Sequence, residues 1–478
     1  MSKATKSVET KKKKREFPSS LVIIFIFILI AVVLTWVVPS GQYDRVLNEA
    51  TGRMVVDPTS FHYIDNIRVN VFQMFQAFSQ GMQDAGWVVF MIMLIGGGLE
   101  IVLSTKALDN LLGRFAQKTQ KFGIIMVPVT IVLFSIFGCV VSLQEIYIAF
   151  GILMITFARA MGFDALTGCI MLSYGQMIGF ISGEFNAFAV GTAQGIIGLP
   201  MYSGLGYRIV IHIILLILTL PFFYQYARRI KADPTKSLCY EQELAAKASG
   251  YSGAADMSDY KLTGKQKIIL LTLLAGLVFI AYASVTSCVN VQTATPAVFV
   301  IVGLVAGIVY GYSPNKIGEL FAQGCKSMIL GALIVGLSRA VSVILDWGVV
   351  SDTIVYSVCS LLEAAPKALT SIAIYIFTAI LNFLNGSGSG KAALLMPILA
   401  PIGDVLEIRQ QLLVIAYSFG DGITNLLSPT NPLVMVPLGM AGIGYGQWIK
   451  ATWKPTVVML IAAVPILIVL SFMNVGPF

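Results

Sequence analysis

The sequence predicts an all-α polytopic membrane protein built from two inverted-topology repeats. Each repeat holds one re-entrant hairpin and one broken transmembrane helix, with about nine full crossings plus the two hairpins. Three observations lead there: the composition, a set of apolar runs too short to cross singly, and a self-similarity at a spacing near 243 residues. The 478 residues are 57% hydrophobic and 12% charged, with a mean hydropathy of +0.83. Globular domains carry about 25% charged residues, and no single soluble core absorbs so much apolar sequence, whereas a bilayer does. The net charge of +8 sits mostly in short loops, where it orients a membrane protein; no nucleic-acid partner is expected.

Residues 1–20 read as a basic cytoplasmic tail. The run that follows, "LVIIFIFILIAVVLTWVV", is longer than a signal-peptide core and no small-residue cleavage motif follows it, so it reads as a retained first helix within a 21–70 segment that continues outside. Two pairs of short spans, Phe122–Val141 with Ile146–Met161 and Ile372–Leu384 with Ala392–Val405, are each split by a polar or small-residue break. All but Phe122–Val141 fall below the roughly 20 residues a straight crossing needs, and such pairs are what hairpins entering and leaving on one side look like. Treating them so puts 24 of the 32 Lys and Arg on the cytoplasmic side. Arg45, Arg53, Arg68, Arg208, Lys367 and Arg409 fall outside, and Arg339 and Lys391 within the membrane. This bias places the N-terminus inside and the C-terminus outside.

The polar segment 228–267 is expected to be a cytoplasmic linker between halves. On that division residues 71–227 form repeat one (hairpin 122–161, broken helix 166–198), 268–314 connecting helices, and 315–478 repeat two (hairpin 369–407, broken helix 411–440). At a spacing of 243, Phe78, Gln80, Gly81 and Asp109 meet Phe321, Gln323, Gly324 and Asp352. "SYGQMIGFISGEFNAFAVGTAQG" runs parallel to "AYSFGDGITNLLSPTNPLVMVPLG" at 243 to 245. In the topology above the repeats run in opposite directions, an arrangement that marks alternating-access transporters with a site near the midplane.

The candidate site residues lie in the four interruptions. Repeat one supplies Ser142, Gln144 and Glu145 in its hairpin and Glu184 and Asn186 in its broken helix. Repeat two supplies Asn382, Asn385, Ser387, Gly388, Ser389 and Lys391 in its hairpin, then Asp421, Asn425, Thr430 and Asn431 in its broken helix. Where a helix breaks, freed carbonyls can coordinate Na⁺ and freed N–H groups can hold an anion, and Gly and Ser leave that backbone accessible. Pro429 and Pro432 keep the second break from closing. An ionisable group in hydrocarbon costs about 2.5–3.5 kcal/mol, so each needs a partner or a use. Three roles stand open for Lys391: binding a substrate carboxylate, standing in for a coupling cation, or pairing with Glu145. Glu100 and Arg339 lie on equivalent spans, where a structural ion pair between repeats stands beside a functional role, and Asp421 either binds a cation or proton or caps the broken helix.

No resident cofactor is expected beyond a coupling Na⁺ at the hairpin tips and broken helices, and no metal centre: His62 and His212 read as isolated, and the six cysteines as inert thiols. An enzyme would need a nucleophile with a base, or a metal triad; a channel would show a polar stripe along several helices. "NGSGSGK" resembles a P-loop only superficially, since Asn385 and Ala392 stand where the motif needs Gly and Ser or Thr.

"NGSGSGKAALLMPILAPIGDVL", "YSFGDGITNLLSPTNPLVMVPLGMAGIGYGQWIK" and "GGGLEIVLSTKALDN" resemble the YfcC/DcuC group of C4-dicarboxylate anaerobic carriers in the ion transporter superfamily. The resemblance covers nearly the whole chain. It implies a multi-pass protein of the bacterial cytoplasmic membrane, often a homodimer with elevator-like movement, carrying dicarboxylates or exchanging basic amino acids such as arginine and ornithine. The group's hairpins usually read G-M-G-E-E and S-G-S-G-Q, and its second break V-P-T-S; here they are "SLQEI", "SGSGK" and "SPTNP". One acid is lost and one base gained, which moves the expected preference toward anionic groups. The substrate expected is therefore a small carboxylate-bearing metabolite, moved with Na⁺ or H⁺ or by exchange.

Overall fold

The computed structural model describes the chain apart from residues 1–19, 49–52, 109, 112–113, 115–119, 141–146, 148–149, 201, 249–261, 287–288, 364–366, 385, 407, 474 and 477–478. The chain is mostly helical. Helix α1 (Ser20–Val37) leads into two small antiparallel sheets. In these, β1 (Gly41–Gln42) pairs with β4 (His62–Tyr63), and β2 (Arg45–Asn48) with β3 (Arg53–Val56). No strand was expected there. The sheets dock on the helices through Arg45, whose Nη2 lies 2.9 Å from Asp352 Oδ1, and through the Tyr43 amide, which donates to Asp352 Oδ2.

Helices α2 (Val71–Asp84), α3 (Gly86–Ser104), α4 (Met126–Val140), α5 (Gly151–Ala160), α6 (Ala165–Ser182), α7 (Thr192–Ile196) and α8 (Leu205–Ala232) follow. After α9 (Tyr240–Ala248) come α10 (Gly264–Thr286), α11 (Val291–Tyr310), α12 (Pro314–Ser327) and α13 (Ile329–Trp347). The chain closes with α14 (Ser351–Glu363), α15 (Lys367–Leu384), α16 (Gly388–Val405), α17 (Gln410–Asn425), α18 (Pro432–Met440) and α19 (Tyr445–Ser471). Their starts follow local chemistry. Asn70 and Gln73 form a capping box on α2, and Asp164 accepts from the Thr167 amide at the head of α6. Ser313 caps α12 and Asn431 caps α18, each with Pro at the first helical position.

Among the described residues, six helices are long and apolar enough to cross a membrane: Gly86–Ser104, Phe122–Cys139, Ala165–Ser182, Leu205–Ala232, Thr293–Tyr310 and Tyr445–Ser471. Pro314–Ser327 with Ala332–Trp347, bent by 43°, would make a seventh. Ile209, Ile213 and Ile217 on α8 are exposed at a spacing of four, the stripe a lipid-facing helix presents. The reverse holds at the centre, where every residue of α6, and every residue of α17 from Gln411 onward, is buried.

These two central helices are each covered by a hairpin helix at close range. On α6, a Cβ added at Gly179 would lie 2.1 Å from Ser135 O of α4, and one at Gly138 would lie 2.3 Å from Gln176 O. On α17, a Cβ at Gly420 would lie 2.7 Å from Tyr375 O of α15. The central helices meet each other where Ser418 Oγ donates to Ile181 O at 2.8 Å. Glycine is required at such crossings because backbones touch. A Gly179→Ala variant should therefore lower the thermal unfolding midpoint in detergent, by the roughly 1–3 kcal/mol typical of overpacking. Gly206→Ala on α8, where nothing lies within 4 Å, should be neutral or raise it.

Candidate functional site

Between α15 and α16 the helical run is interrupted, with Gly386 and Ser387 outside both helices. Ser387 Oγ accepts from the Gly390 amide and Ser387 O from the Lys391 amide, so α16 starts one turn before Lys391. The hairpin tip is open to solvent on one side but Lys391 itself is fully buried against α17. Its Nζ lies 2.6 Å from Asp421 Oδ1, with the two side chains 0% and 1% exposed. That ion contact lies off hydrogen-bond geometry, and neither Asp421 oxygen accepts a hydrogen bond among the described residues.

Lys391 also donates to Asn382 Oδ1, near the end of α15. The Asn382 amide is held in that orientation from its other end, where Nδ2 faces Asp421 O at 3.0 Å, Thr424 Oγ1 at 2.9 Å and Asn425 Oδ1 at 3.0 Å. Those acceptors commit the nitrogen and turn the oxygen toward the ammonium. Tyr417 donates to Gly388 O, pinning the head of α16. A side chain at Gly388 would meet Asp421 Oδ2 at 3.0 Å, so glycine lets the positive end of α16 sit over the carboxylate.

Each central helix stops at a break clamped by an asparagine. In the first, Asn186 Nδ2 donates to Phe180 O at 3.1 Å and Asn186 Oδ1 accepts from the Ala189 amide. In the second, Asn431 Nδ2 donates to Asn425 O at 3.2 Å and Asn431 Oδ1 accepts from the Leu433 amide. Both clamps reach back six residues, at a spacing of 245. Two further carbonyls of the second break are taken by aromatic side chains: Leu426 O accepts from Trp448 Nε1 at 2.9 Å, and Leu427 O from Tyr445. Ser428 and Thr430 bond to each other at 2.6 Å. Thr430 and Asn431 thus hold the break in shape.

Glu184 lies in the first break and has partners of its own. Its Oε1 is 2.6 Å from His212 Nδ1 on α8 and its Oε2 accepts from Ser182 Oγ at 2.6 Å. His212 Nε2 reaches Ser135 Oγ at 2.9 Å, and the Cys139 thiol joins Glu184 and His212 in one buried group within 4.8 Å. The expectation that His212 stands isolated is therefore corrected: α8 brings it onto the break. Arg208, expected outside, is buried at 1% exposure with Nη1 donating to Ser182 O at 3.1 Å. Both sit one turn apart in an apolar run, a signal the sequence carried, since a charge inside a span needs a partner. Gln176, 245 positions before Asp421, was not anticipated either; it is fully buried and neither amide atom has a hydrogen-bond partner.

The breaks and the second hairpin converge, because α16 packs on residues 187–196 and Ala189 Cβ lies 3.4 Å from the Cβ position of Gly388. A polar cavity of about 500 Å³, lined by Arg45, Arg339, Asp346, Asp352, Ser387 and Gly390 among others, reaches the hairpin tip. Ser389 is half-buried beside it. Ser142, Gln144, Glu145 and Asn385 lie outside the described residues, so the Lys391–Glu145 pairing does too. Among the described residues the acid that Lys391 meets is Asp421. No ion pair joins Glu100 to Arg339 among the described residues; Arg339 lines the cavity near Asp346, while Lys106 is the cation acting on Glu100.

The family described as "DcuC: C4-dicarboxylate anaerobic carrier" matches residues 17–472. An Escherichia coli (strain K12) protein named "Putative basic amino acid antiporter YfcC" is 30% identical over 94% of this chain and 95% of its own length. An uncharacterized Haemophilus influenzae protein is 26% identical over 92% of this chain and 94% of its own. Two solved structures align along nearly the entire chain at TM-scores too low to fix a shared fold. They are the Alcanivorax borkumensis YdaH transporter (TM-score 0.39, 17% identity, 96% of this chain and 100% of that one) and Neisseria gonorrhoeae MtrF (0.42, 15%, 97% and 98%). With the family match spanning almost all of a chain whose apolar helices enclose a buried ionic site, the protein belongs to the DcuC family of C4-dicarboxylate anaerobic carriers and is a multi-pass membrane transporter of that family.

Proposed function

We propose that the chain is a secondary active transporter that moves a small carboxylate-bearing metabolite, an amino acid or a dicarboxylate, across a bacterial cytoplasmic membrane by alternating access. The observation that carries this reading is the Lys391–Asp421 pair, held at the meeting of a hairpin and a broken helix and closed to water. A channel would expose its ionic groups along a continuous wet path; a carrier alternately covers and uncovers them. Two asparagine clamps at one spacing favour the inverted-repeat architecture on which such movement rests.

Asn382 Oδ1 and Asp421 Oδ1 form the kind of oxygen nest that a Na⁺ would take, and the Lys391 ammonium lies in it. We assign Lys391 the role of a tethered cation, which makes exchange or proton coupling the expected mode in place of Na⁺ coupling. The name of the Escherichia coli relative supports a second reading, exchange of basic amino acids, and the buried carboxylates of Asp421 and Glu184 are compatible with a cationic substrate.

Uptake into proteoliposomes with succinate, glutamate, arginine and ornithine, with and without Na⁺, tests both. Carboxylate-bearing solutes should enter without Na⁺, and stimulation confined to arginine and ornithine would favour the second reading. Lys391→Gln should lose uptake in the absence of Na⁺ and regain part of it when Na⁺ is added. Unchanged substrate preference and unchanged ion dependence in that variant would remove Lys391 from the mechanism.

Stability gives an independent check. Asp421→Asn leaves a buried ammonium without its counter-charge, which costs about 3–5 kcal/mol, so its thermal midpoint should fall well below wild type. The double variant Lys391→Gln/Asp421→Asn should recover most of that loss while uptake stays impaired.

A further inference from the structure

The first break contains a cation that the pair described above does not use. Arg208 stands one turn before His212 on α8 and is 1% exposed. Its Nη1 is anchored on Ser182 O at 3.1 Å, while Nε and Nη2 have no hydrogen-bond partner among the described residues. Nε–H and Nη2–H form the side of the guanidinium that carries two parallel donors, the geometry that grips a carboxylate with both oxygens. A buried donor left unmade costs the desolvation of that group, and a charged one costs more. Two such donors side by side are therefore a demand for an anion.

Among the described residues the carboxylate that acts on Arg208 is Glu184, and it does not meet that demand. Glu184 is turned away, with Oε1 on His212 Nδ1 and Oε2 on Ser182 Oγ, each at 2.6 Å. Ser135 fixes the far nitrogen of His212, so the imidazole cannot swing and release Glu184 without breaking that bond. Gly183 completes the arrangement: its φ of +67° turns the chain, and a side chain there would lie 3.2 Å from Arg208 Nη1.

We infer that the Nε–Nη2 edge of Arg208 is a carboxylate-binding subsite for the transported solute. The inference rests on the carboxylate-substrate reading above and locates the carboxylate at the first break, whereas the cation nest lies at the second hairpin. The two are near neighbours, since residues 187–196, directly beyond the Arg208 contact, pack against α16.

The test uses the purified full-length protein in detergent, with ligand-dependent thermal stabilisation as readout and two probe pairs, succinate with putrescine and arginine with agmatine. In each pair only the first member has a carboxylate. The wild type should be stabilised by the carboxylate members alone. Arg208→Lys keeps the charge but loses the paired donors, and its half-saturating succinate or arginine concentration should rise about tenfold or more, the effect of losing one charge-assisted bond. Arg409→Lys, at an exposed cation, should bind as wild type does. If Arg208→Lys does not fold, the charge-balanced double variant Glu184→Gln/Arg208→Gln decides in its place. Wild-type affinity in whichever Arg208 variant folds, with uptake intact, overturns the subsite and leaves the transporter reading standing. A wild type that neither binds nor takes up any of the carboxylates removes both.

Discussion

A helix that stops inside a buried apolar core leaves backbone carbonyls and amides that need partners, and α6 and α17 both stop in that way. Asn186 and Asn431 resolve the problem in one way, each donating from its amide to a carbonyl six residues back and accepting from an amide ahead. Trp448 and Tyr445 cover two further carbonyls of the second break from α19. With the backbone satisfied, the ionic side chains at the breaks are free to face one another.

Burial makes those side chains expensive, so their partners are what gives them shape. Lys391 has Asp421 and Asn382, and Asn382 cannot turn because its nitrogen faces three acceptors. Glu184 has His212 and Ser182. Such pairs contribute little net stability, since desolvation cancels much of the attraction. What they contribute is one discrete arrangement of the buried groups.

The central helices can hold these groups only because the hairpin helices approach them to backbone contact. Gly138 and Gly179 permit this in the first half and Gly420 in the second. Gly388 does the same for a charge, leaving room for Asp421 beneath the head of α16. The small residues of the interruptions therefore serve packing and site geometry together.

The sequence alone carried the composition of a membrane-spanning helical chain and set Lys391 and Asp421 within its apolar runs. Hydropathy, the break residues and the scarcity of intramembrane charge are local properties readable from one strand of text. It also carried the family's motifs over most of its length. Which charges meet was decided by the tertiary structure. Lys391 and Asp421 are 30 positions apart, and Glu184 and His212 are 28 apart on separate elements, so only helix crossing angles bring them within bonding distance. Arg208 was counted from the sequence among the cations on the external side, and the packing of α8 on the first break makes it a buried group that donates to Ser182 O. Spacing in sequence says what a residue can do; the packing of α6, α8, α16 and α17 chose its partner.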